Sequence, residues 1–417
     1  MVTSRVGGLA PRRQMAQPLP GATWQAQVLD TAAVSRELDK LWAKFDGARH
    51  DVANAALEAH GDPISVQMRA TTFNLIAVAR RKSDGDRVEQ AILHLGELYP
   101  SRATILIADA DRDPTTDPGL GVRVALIEQP PAKDHPAIRF ECVTVEAHAG
   151  DDRHLASIAS PLLVADLPDF LWWPGDAFID SDLFRHLVDV TDRLIVDTAT
   201  LQNPPAGLRH LSEMVARSHG CPNLSDFAWA RAASWRQLVA QFFDPPPGQA
   251  CLDVLDEVTI TYGVEGDNIP GFSSALLLAG WLGSRLGWKA PGELVPMNDG
   301  GWRATLRTSG RGRLREVVLA LRPTNDPVAS RGLGSITLQS GSDAPGLFRI
   351  ERIDALGLST RSQIQGAPPV SRMVFTAEAD DATLLAEELR IFGRDRVYED
   401  ALAFAATLAP TPVEATA

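Results

Sequence analysis

The amino-acid sequence predicts an α/β protein with three parts: an N-terminal α/β sandwich with a mixed sheet, a helical segment, and a C-terminal α+β domain. Short aliphatic runs alternate with helix-like periodicity over residues 65–200, an order typical of an α/β sandwich. Residues 208–243 are helical in pattern. Residues 301–377 contain a series of alternating apolar and polar segments with helices after them, which indicates an α+β arrangement.

The first elements are predicted from apolar spacing. Residues 31–60 carry apolar side chains three and four positions apart, which predicts an amphipathic helix. Two apolar runs, at 71–79 and 103–108, flank a second stripe of helical spacing that starts at Val88. This order is a β-α-β unit, whose crossover makes the two strands parallel.

The rest of the sandwich follows in order. Residues 122–126 and 138–142 alternate with period two across a proline-rich turn, which predicts an antiparallel hairpin. We then expect a short helix near 152–157, a buried strand at 162–164, a helix at 180–189 and a strand at 194–197.

The helical segment is broken at Gly220-Cys221-Pro222. After the break, Ser225 is predicted to cap a helix, and Asp226 to complement the helix dipole. The run Pro245-Pro246-Pro247-Gly248 is the clearest stiff break, so we place a domain boundary there. The predicted parts are a mobile tail (1–30), an α/β domain (31–200), a helical connector (201–244) and an α+β domain (249–417).

The C-terminal domain is predicted to start with a strand at 258–262 and an apolar helix at 273–286. Further strands are expected at 302–308, 314–321, 335–338, 347–353 and 372–376, followed by helices at 382–392 and 397–408.

The composition narrows the classes of function that the protein can have. The 417 residues are 45% hydrophobic and 22% charged, which is average for globular proteins. Their 40 Lys+Arg and 53 Asp+Glu give a formal net charge of −13, which disfavours a nucleic-acid or membrane partner. The three cysteines are far apart and form no C-x-x-C pair, which favours a reducing compartment. We therefore expect a soluble cytoplasmic protein.

No short motif assigns catalytic chemistry. The sequence lacks a phosphate-binding G-x-x-x-x-G-K-[ST] loop, a G-x-G-x-x-G loop after the first strand, a G-x-S-x-G elbow and an H-E-x-x-H pair. The basic triplet Arg80-Arg81-Lys82 could meet a phosphate, although a solvated turn is the more common meaning. His148 and His154 have no evident partner. We predict no catalytic residue, no cofactor and no metal.

Two local departures from the average point toward a partner. Residues 303–331 hold seven arginines against two acids, and Arg303 and Arg307 project to one face of a predicted strand. A solvated strand face and a docking surface for an acidic partner or a phosphorylated metabolite are both open. Six of nine tryptophans lie within 172–288. The turn of Trp172, Trp173, Pro174 and Gly175 either fills a cleft or presents an exposed anchor.

These segments also carry a resemblance. Residues 160–175 (SPLLVADLPDFLWWPG) and 226–236 (DFAWARAASWR) resemble two signatures of the OpcA family of glucose-6-phosphate dehydrogenase assembly proteins. Supporting similarity lies at 69–75, 99–102 and 279–287. The resemblance implies a protein without catalysis of its own that binds glucose-6-phosphate dehydrogenase and promotes its active oligomer in the oxidative pentose phosphate pathway.

The resemblance and the two anomalies together give the expected partner-binding residues. They are Trp172, Trp173, Pro174, Gly175, Asp226, Trp229, Arg231, Arg236, Arg303 and Arg307. The alternatives are a hydrolase of sugar-phosphate lactones, similar to 6-phosphogluconolactonase, and a regulatory module that senses a sugar phosphate or a nucleotide as effector. The first needs a general base beside an arginine-lined cleft, and no histidine of the sequence has a visible partner.

Overall fold

The computed structural model divides into two compact units, residues 1–168 and 169–417. The residues that the structure describes are 17–18, 21–26, 30–60, 68–69, 71–95, 99–109, 111–113, 115, 119–129, 138–148, 150, 152–175, 181–217, 222–266, 268–310, 313–329, 332–376, 380–391 and 393–411. Most of the expected tail, and residues 220–221 of the expected helix break, lie outside them.

The first unit is a mixed sheet with helices. Its strands are β1 (Gln17–Pro18), β2 (Ala22–Ala26), β3 (Met68–Arg69), β4 (Asn74–Ala79), β5 (Arg102–Asp109), β6 (Leu120–Gln129) and β7 (Ile138–His148). Its helices are α1 (Thr31–His60), α2 (Lys82–Leu95) and α3 (Asp152–Leu162). Strands β4 and β5 pair in parallel across α2, and β6 and β7 pair in antiparallel register, which confirms the predicted β-α-β unit and hairpin.

Two expectations for the first unit were wrong. Ala22–Ala26, placed in a mobile tail, forms a strand that pairs with β6 and so satisfies backbone groups that an edge strand would leave open. The expected strand at 162–164 is the end of α3 and the turn after it. There the Asn74 side chain accepts a bond from the Val164 N–H and donates to the Val164 carbonyl, both at 2.9 Å, which holds the segment as a loop.

The second unit begins with three strands that pair in parallel, β8 (Asp169–Trp173), β9 (Arg193–Val196) and β10 (Asn223–Asp226). Helices α4 (Asp182–Val188) and α5 (Pro204–Ala216) lie between these strands in the chain. Three helices follow: α6 (Phe227–Arg231), α7 (Ala233–Phe242) and α8 (Pro246–Leu252). The strands are buried along almost their whole length, as expected of parallel strands.

The remainder of the second unit is an eight-stranded sheet with helices. In chain order it comprises β11 (Leu255–Gly263), α9 (Pro270–Arg285), β12 (Val295–Pro296), β13 (Trp302–Gly310), β14 (Arg313–Thr324), β15 (Leu333–Ser340), β16 (Gly346–Arg352), β17 (Gly357–Ile364), β18 (Val370–Phe375), α10 (Asp381–Glu388) and α11 (Arg396–Leu408). The strand order is β12-β13-β14-β11-β15-β16-β17-β18. Side chains alternate between a buried and a solvent-facing side, so the sheet has one exposed face.

The fold class is the predicted one, an α/β sandwich followed by helices and an α+β part, whereas several local details differ. Ser225 does not cap a helix, because β10 runs through it, and Asp226 is the N-cap of α6. Pro245–Pro247, expected as a stiff break, starts α8, a position where the missing proline N–H costs nothing. The predicted domain limits stay a prediction, and the compact units divide elsewhere, at Pro168.

Within the described residues, no helix combines the length and the apolar character needed to cross a bilayer.

Candidate functional site

Two carboxylates lie together where adjacent parallel strands of the second unit end. Asp197 directly follows β9, and Asp226 is the last residue of β10. The carboxyl ends of parallel strands are the usual place for ligand contacts in α/β folds. In this protein, however, helices of the same unit supply the groups that contact both carboxylates.

Asp226 accepts four hydrogen bonds from buried donors. They come from the Thr198 N–H (3.0 Å), the Thr198 hydroxyl (2.7 Å), the Ala228 N–H (2.9 Å) and the Tyr398 hydroxyl (3.2 Å). Burial raises the pKa of Asp226 to about 6, although the bonds from Thr198 and Ala228 act in the opposite direction. Burial and the nearby Asp226 charge together raise the pKa of Tyr398. Asp226 therefore connects α6 to α11 and is ionised at neutral pH.

Arg231 forms a two-pronged ion pair with Asp197. The two terminal guanidinium nitrogens each donate to one carboxylate oxygen at 2.8 Å. One of them also lies 4.0 Å from a carboxylate oxygen of Asp381. Burial lowers the pKa of Arg231, but the bond and charge of Asp197 outweigh it, so the net direction is upward. This planar arrangement is the geometry that arginine offers and lysine does not.

Trp229 and Arg236 pack against each other. The Arg236 guanidinium carbon lies 3.3 Å from the centroid of the Trp229 ring, and one of its nitrogens donates to the Trp229 carbonyl at 2.6 Å. The Trp229 indole N–H donates to Asp395 at 3.0 Å. Burial lowers the pKa of Arg236 to about 10, which leaves it charged at pH 7. Both side chains are thus engaged inside the unit.

Trp172 and Trp173, expected in a turn, are the last two residues of strand β8, and they are buried rather than exposed. Trp172, Trp173 and Pro174 are buried and only Gly175 is exposed, which favours cleft filling over an exposed anchor. Trp173 packs edge-on against Phe184, with ring centroids 5.0 Å apart. These side chains contribute to the core of the second unit.

Arg303 and Arg307 have the opposite surroundings. They are exposed on β13, while Ala304 and Leu306 between and beside them are buried, as the alternation predicts. Glu316 lies directly opposite Arg307 in the β13–β14 register. Among the described residues, neither arginine has a carboxylate within ion-pair distance.

A groove of about 440 Å³ lies on the same exposed face. It is lined by Arg303 and Arg322 and by the carboxylates of Asp256, Glu257 and Glu316. Arg322 pairs with Asp299 at 2.6 Å. Burial raises the pKa of Asp256. The groove combines both charge signs, which suits a protein surface of mixed charge better than a single anion.

The structure brings together Asp226, Trp229, Arg231 and Arg236, and it separates them from Arg303 and Arg307. Asp197, Thr198 and Tyr398 were not predicted from the sequence. Their partners are distant in the chain: Thr198 and Asp226 are 28 residues apart, and Tyr398 and Asp226 are 172 residues apart. The only local signal was Asp197, an acidic residue directly after the apolar run 194–196. No cluster of three or more potential metal ligands occurs in the described parts of the chain.

These features define a class: a two-unit α/β protein whose polar strand ends are closed by its own helices and whose second sheet has a charged, exposed face. A family model for the C-terminal domain of a glucose-6-phosphate dehydrogenase subunit matches residues 222–402, and the corresponding N-terminal domain model matches residues 94–213. Together they match more than half of the chain. The protein belongs to this family, the OpcA family.

Curated relatives agree with the family models. A protein of Nostoc punctiforme is 29% identical over 272 residues, which are 64% of this chain and 57% of the relative. A protein of Synechocystis sp. is 25% identical over 304 residues, 70% of this chain and 61% of the relative. Both carry the provisional name OxPP cycle protein OpcA. The chain spans less than two thirds of the length of these relatives.

Among solved structures, the transcriptional regulator Gal80p from Kluyveromyces lactis is similar, at 9% sequence identity over 81% of this chain and 87% of that chain. Its TM-score of 0.45 is too low to carry an argument about function.

Proposed function

We propose that the protein binds glucose-6-phosphate dehydrogenase and promotes the active oligomer of that enzyme, without catalysing a reaction itself. Both matching family models are described as domains of a subunit of this dehydrogenase, and the relatives' names connect them with the OxPP cycle. A partner that binds the active assembly more tightly than the inactive one shifts the population toward it by that difference in affinity.

The choice of surface rests on the exposure of Arg303 and Arg307 and on their lack of ion pairs among the described residues. Both are exposed on the strand β13, and neither has an ion pair within the described part of the chain. Such a guanidinium can bind a carboxylate of a partner without first losing an internal one. Arg231 and Arg236, in contrast, would have to give up buried contacts before they could reach a partner. We therefore assign dehydrogenase binding to the exposed face around Arg303 and Arg307.

The double substitution Arg303→Glu with Arg307→Glu tests this assignment. We expect at least tenfold weaker association with the dehydrogenase of the same organism, and a matching loss of activation. Association is measured by titration calorimetry, activity by NADPH formation, and oligomer size by light scattering. Arg396→Glu is a matched control, because Arg396 is also exposed and has no ion pair among the described residues.

Three results would contradict parts of the proposal. If the wild-type protein neither associates with the dehydrogenase nor changes its activity or oligomer size, the partner is wrong. If the double variant binds as the wild type does, the partner stands and the surface is wrong. Turnover of 6-phosphogluconolactone by the purified protein alone would contradict the non-catalytic role and favour the lactone-hydrolase alternative.

A further inference from the structure

Strand β18 is the last strand of the eight-stranded sheet, and no other strand of the described residues pairs with its outer edge. Within the described residues it pairs only with β17, in an antiparallel register that runs without a shift from Gly357–Phe375 to Ser362–Val370. Natural sheets guard such edges with prolines, bulges or inward charges. This strand contains no proline and no bulge, and Arg372 is its single charged residue.

The backbone direction along β18 follows from one hydrogen bond. The Thr376 N–H donates to the Leu356 carbonyl at 2.7 Å. In an antiparallel ladder, hydrogen-bonded pairs recur at every second residue, so Val374 and Arg372 also direct their backbone groups toward β17. Ser371, Met373 and Phe375 consequently direct their N–H and C=O groups outward, to the open edge.

Two of these three outward-directed residues also carry exposed apolar side chains. Met373 is 60% exposed and Phe375 is 73% exposed. They alternate with Arg372 and Val374, so Met373 and Phe375 lie on one side of the strand. An edge with free backbone groups and two large apolar side chains is a template for pairing with another strand.

We infer that β18 pairs with β18 of a second copy of this chain, antiparallel about a two-fold axis that passes beside Met373. A two-fold axis perpendicular to a strand necessarily produces antiparallel pairing of identical segments. In this register Met373 lies opposite Met373 of the second copy, and Ser371 lies opposite Phe375. All three outward-directed residues find partners, which gives about six backbone hydrogen bonds.

Charge and side-chain contacts select this register over its neighbours. If the two-fold axis passed beside residue 372 instead, Arg372 would lie directly opposite Arg372 of the second copy. Like charges directly opposite each other are destabilising. If the axis passed beside residue 374, the backbone groups of Ser371 would find no partner on the second strand. The chosen register sets Arg372 opposite Val374 and brings each Phe375 diagonally against the other copy's Met373, a favourable sulfur–aromatic contact.

A charge-pair experiment on the full chain tests the inference without the dehydrogenase. We expect the wild type to form a dimer in sedimentation and light scattering. Met373→Lys and Met373→Asp should each raise the dimer dissociation constant at least tenfold, because like charges then meet at the axis. An equimolar mixture of the two variants should restore the dimer, since opposite charges then meet.

Leu314→Lys and Leu314→Asp are the matched controls, because Leu314 is 76% exposed on a different strand, β14. They should leave the dissociation constant unchanged within twofold. A wild type that is monomeric up to several hundred micromolar would overturn the inference. So would a dimer that the Met373 variants do not weaken, or one that the mixture does not restore. Far-ultraviolet circular dichroism of each variant separates these results from misfolding.

Discussion

Two arginine-containing regions of the second unit differ in what surrounds the guanidinium groups. Arg231 and Arg236 come from a helical segment and contact Asp197 and the Trp229 ring inside the unit. Arg303 and Arg307 come from a strand and face solvent, without an ion pair among the described residues. The residue type is the same, and the burial of the neighbouring acceptors decides whether an arginine stabilises the fold or remains available to a partner.

The difference has an energetic consequence. Removing one partner of a buried ion pair leaves an uncompensated charge in a low-dielectric environment, whereas removing an exposed arginine exposes nothing new. Substitutions in the first region should therefore act on stability, and those in the second region should act on binding. Unfolding measurements on single variants test this separation.

Arg231→Ala should reduce the free energy of unfolding by about 4 kcal/mol, because the Asp197 side chain is only 5% exposed and would lose its counter-charge. Arg231→Lys should cost less, since it keeps the charge and loses the two-pronged geometry. The exposed-region control, Arg303→Ala, should change stability by less than about 0.5 kcal/mol. Urea unfolding at pH 7 measures all three. Equal losses for Arg231→Ala and Arg303→Ala would remove the distinction between the two regions.

The pH dependence of stability should depend on Asp226. Its pKa in the folded state, about 6, lies above the ordinary value of 3.8, so the folded state binds the proton more tightly. The stabilisation from this proton is complete below about pH 4 and is lost as pH rises through 6. It amounts to about 3 kcal/mol.

Urea unfolding from pH 4 to pH 7 measures this effect as a difference between the wild type and Asp226→Asn, which cannot titrate. The difference in stability should grow in favour of the variant by about 2.4 kcal/mol as pH rises over this range. Substitution of an exposed carboxylate, Glu316→Gln, should leave the wild-type pH profile unchanged. Parallel profiles for wild type and Asp226→Asn would show that Asp226 has an ordinary pKa.

The sequence predicted most of the helices and strands but not the hydrogen-bond network around Asp226. The elements follow from local patterns, whereas the network joins residues that are far apart in the chain. The β4–α2–β5 unit and the alternation around Ala304 and Leu306 are local patterns, and both are present. Strand β17 was missed because its second half is mostly polar and only partly buried. The contacts of Asp226 join residues from distant parts of the chain. The sequence therefore could not distinguish Arg231, chosen from the family resemblance, from Arg303, chosen from the local excess of arginine, as partner-binding candidates.

The smallest effect on stability should come from Tyr398→Phe. The substitution removes the hydroxyl that donates to Asp226 at 3.2 Å and keeps the aromatic ring against Trp229, with centroids 5.5 Å apart. Because Asp226 retains three other donors, the expected loss in the free energy of unfolding is about 1 kcal/mol. The control Thr305→Ala removes a hydroxyl from the exposed face of β13 and should cost less than about 0.5 kcal/mol. Urea unfolding of both variants at pH 7 decides the comparison. A Tyr398→Phe variant as stable as Thr305→Ala would mean that the hydroxyl contributes nothing to joining α11 and α6, and that Asp226 is held by Thr198 and Ala228 alone.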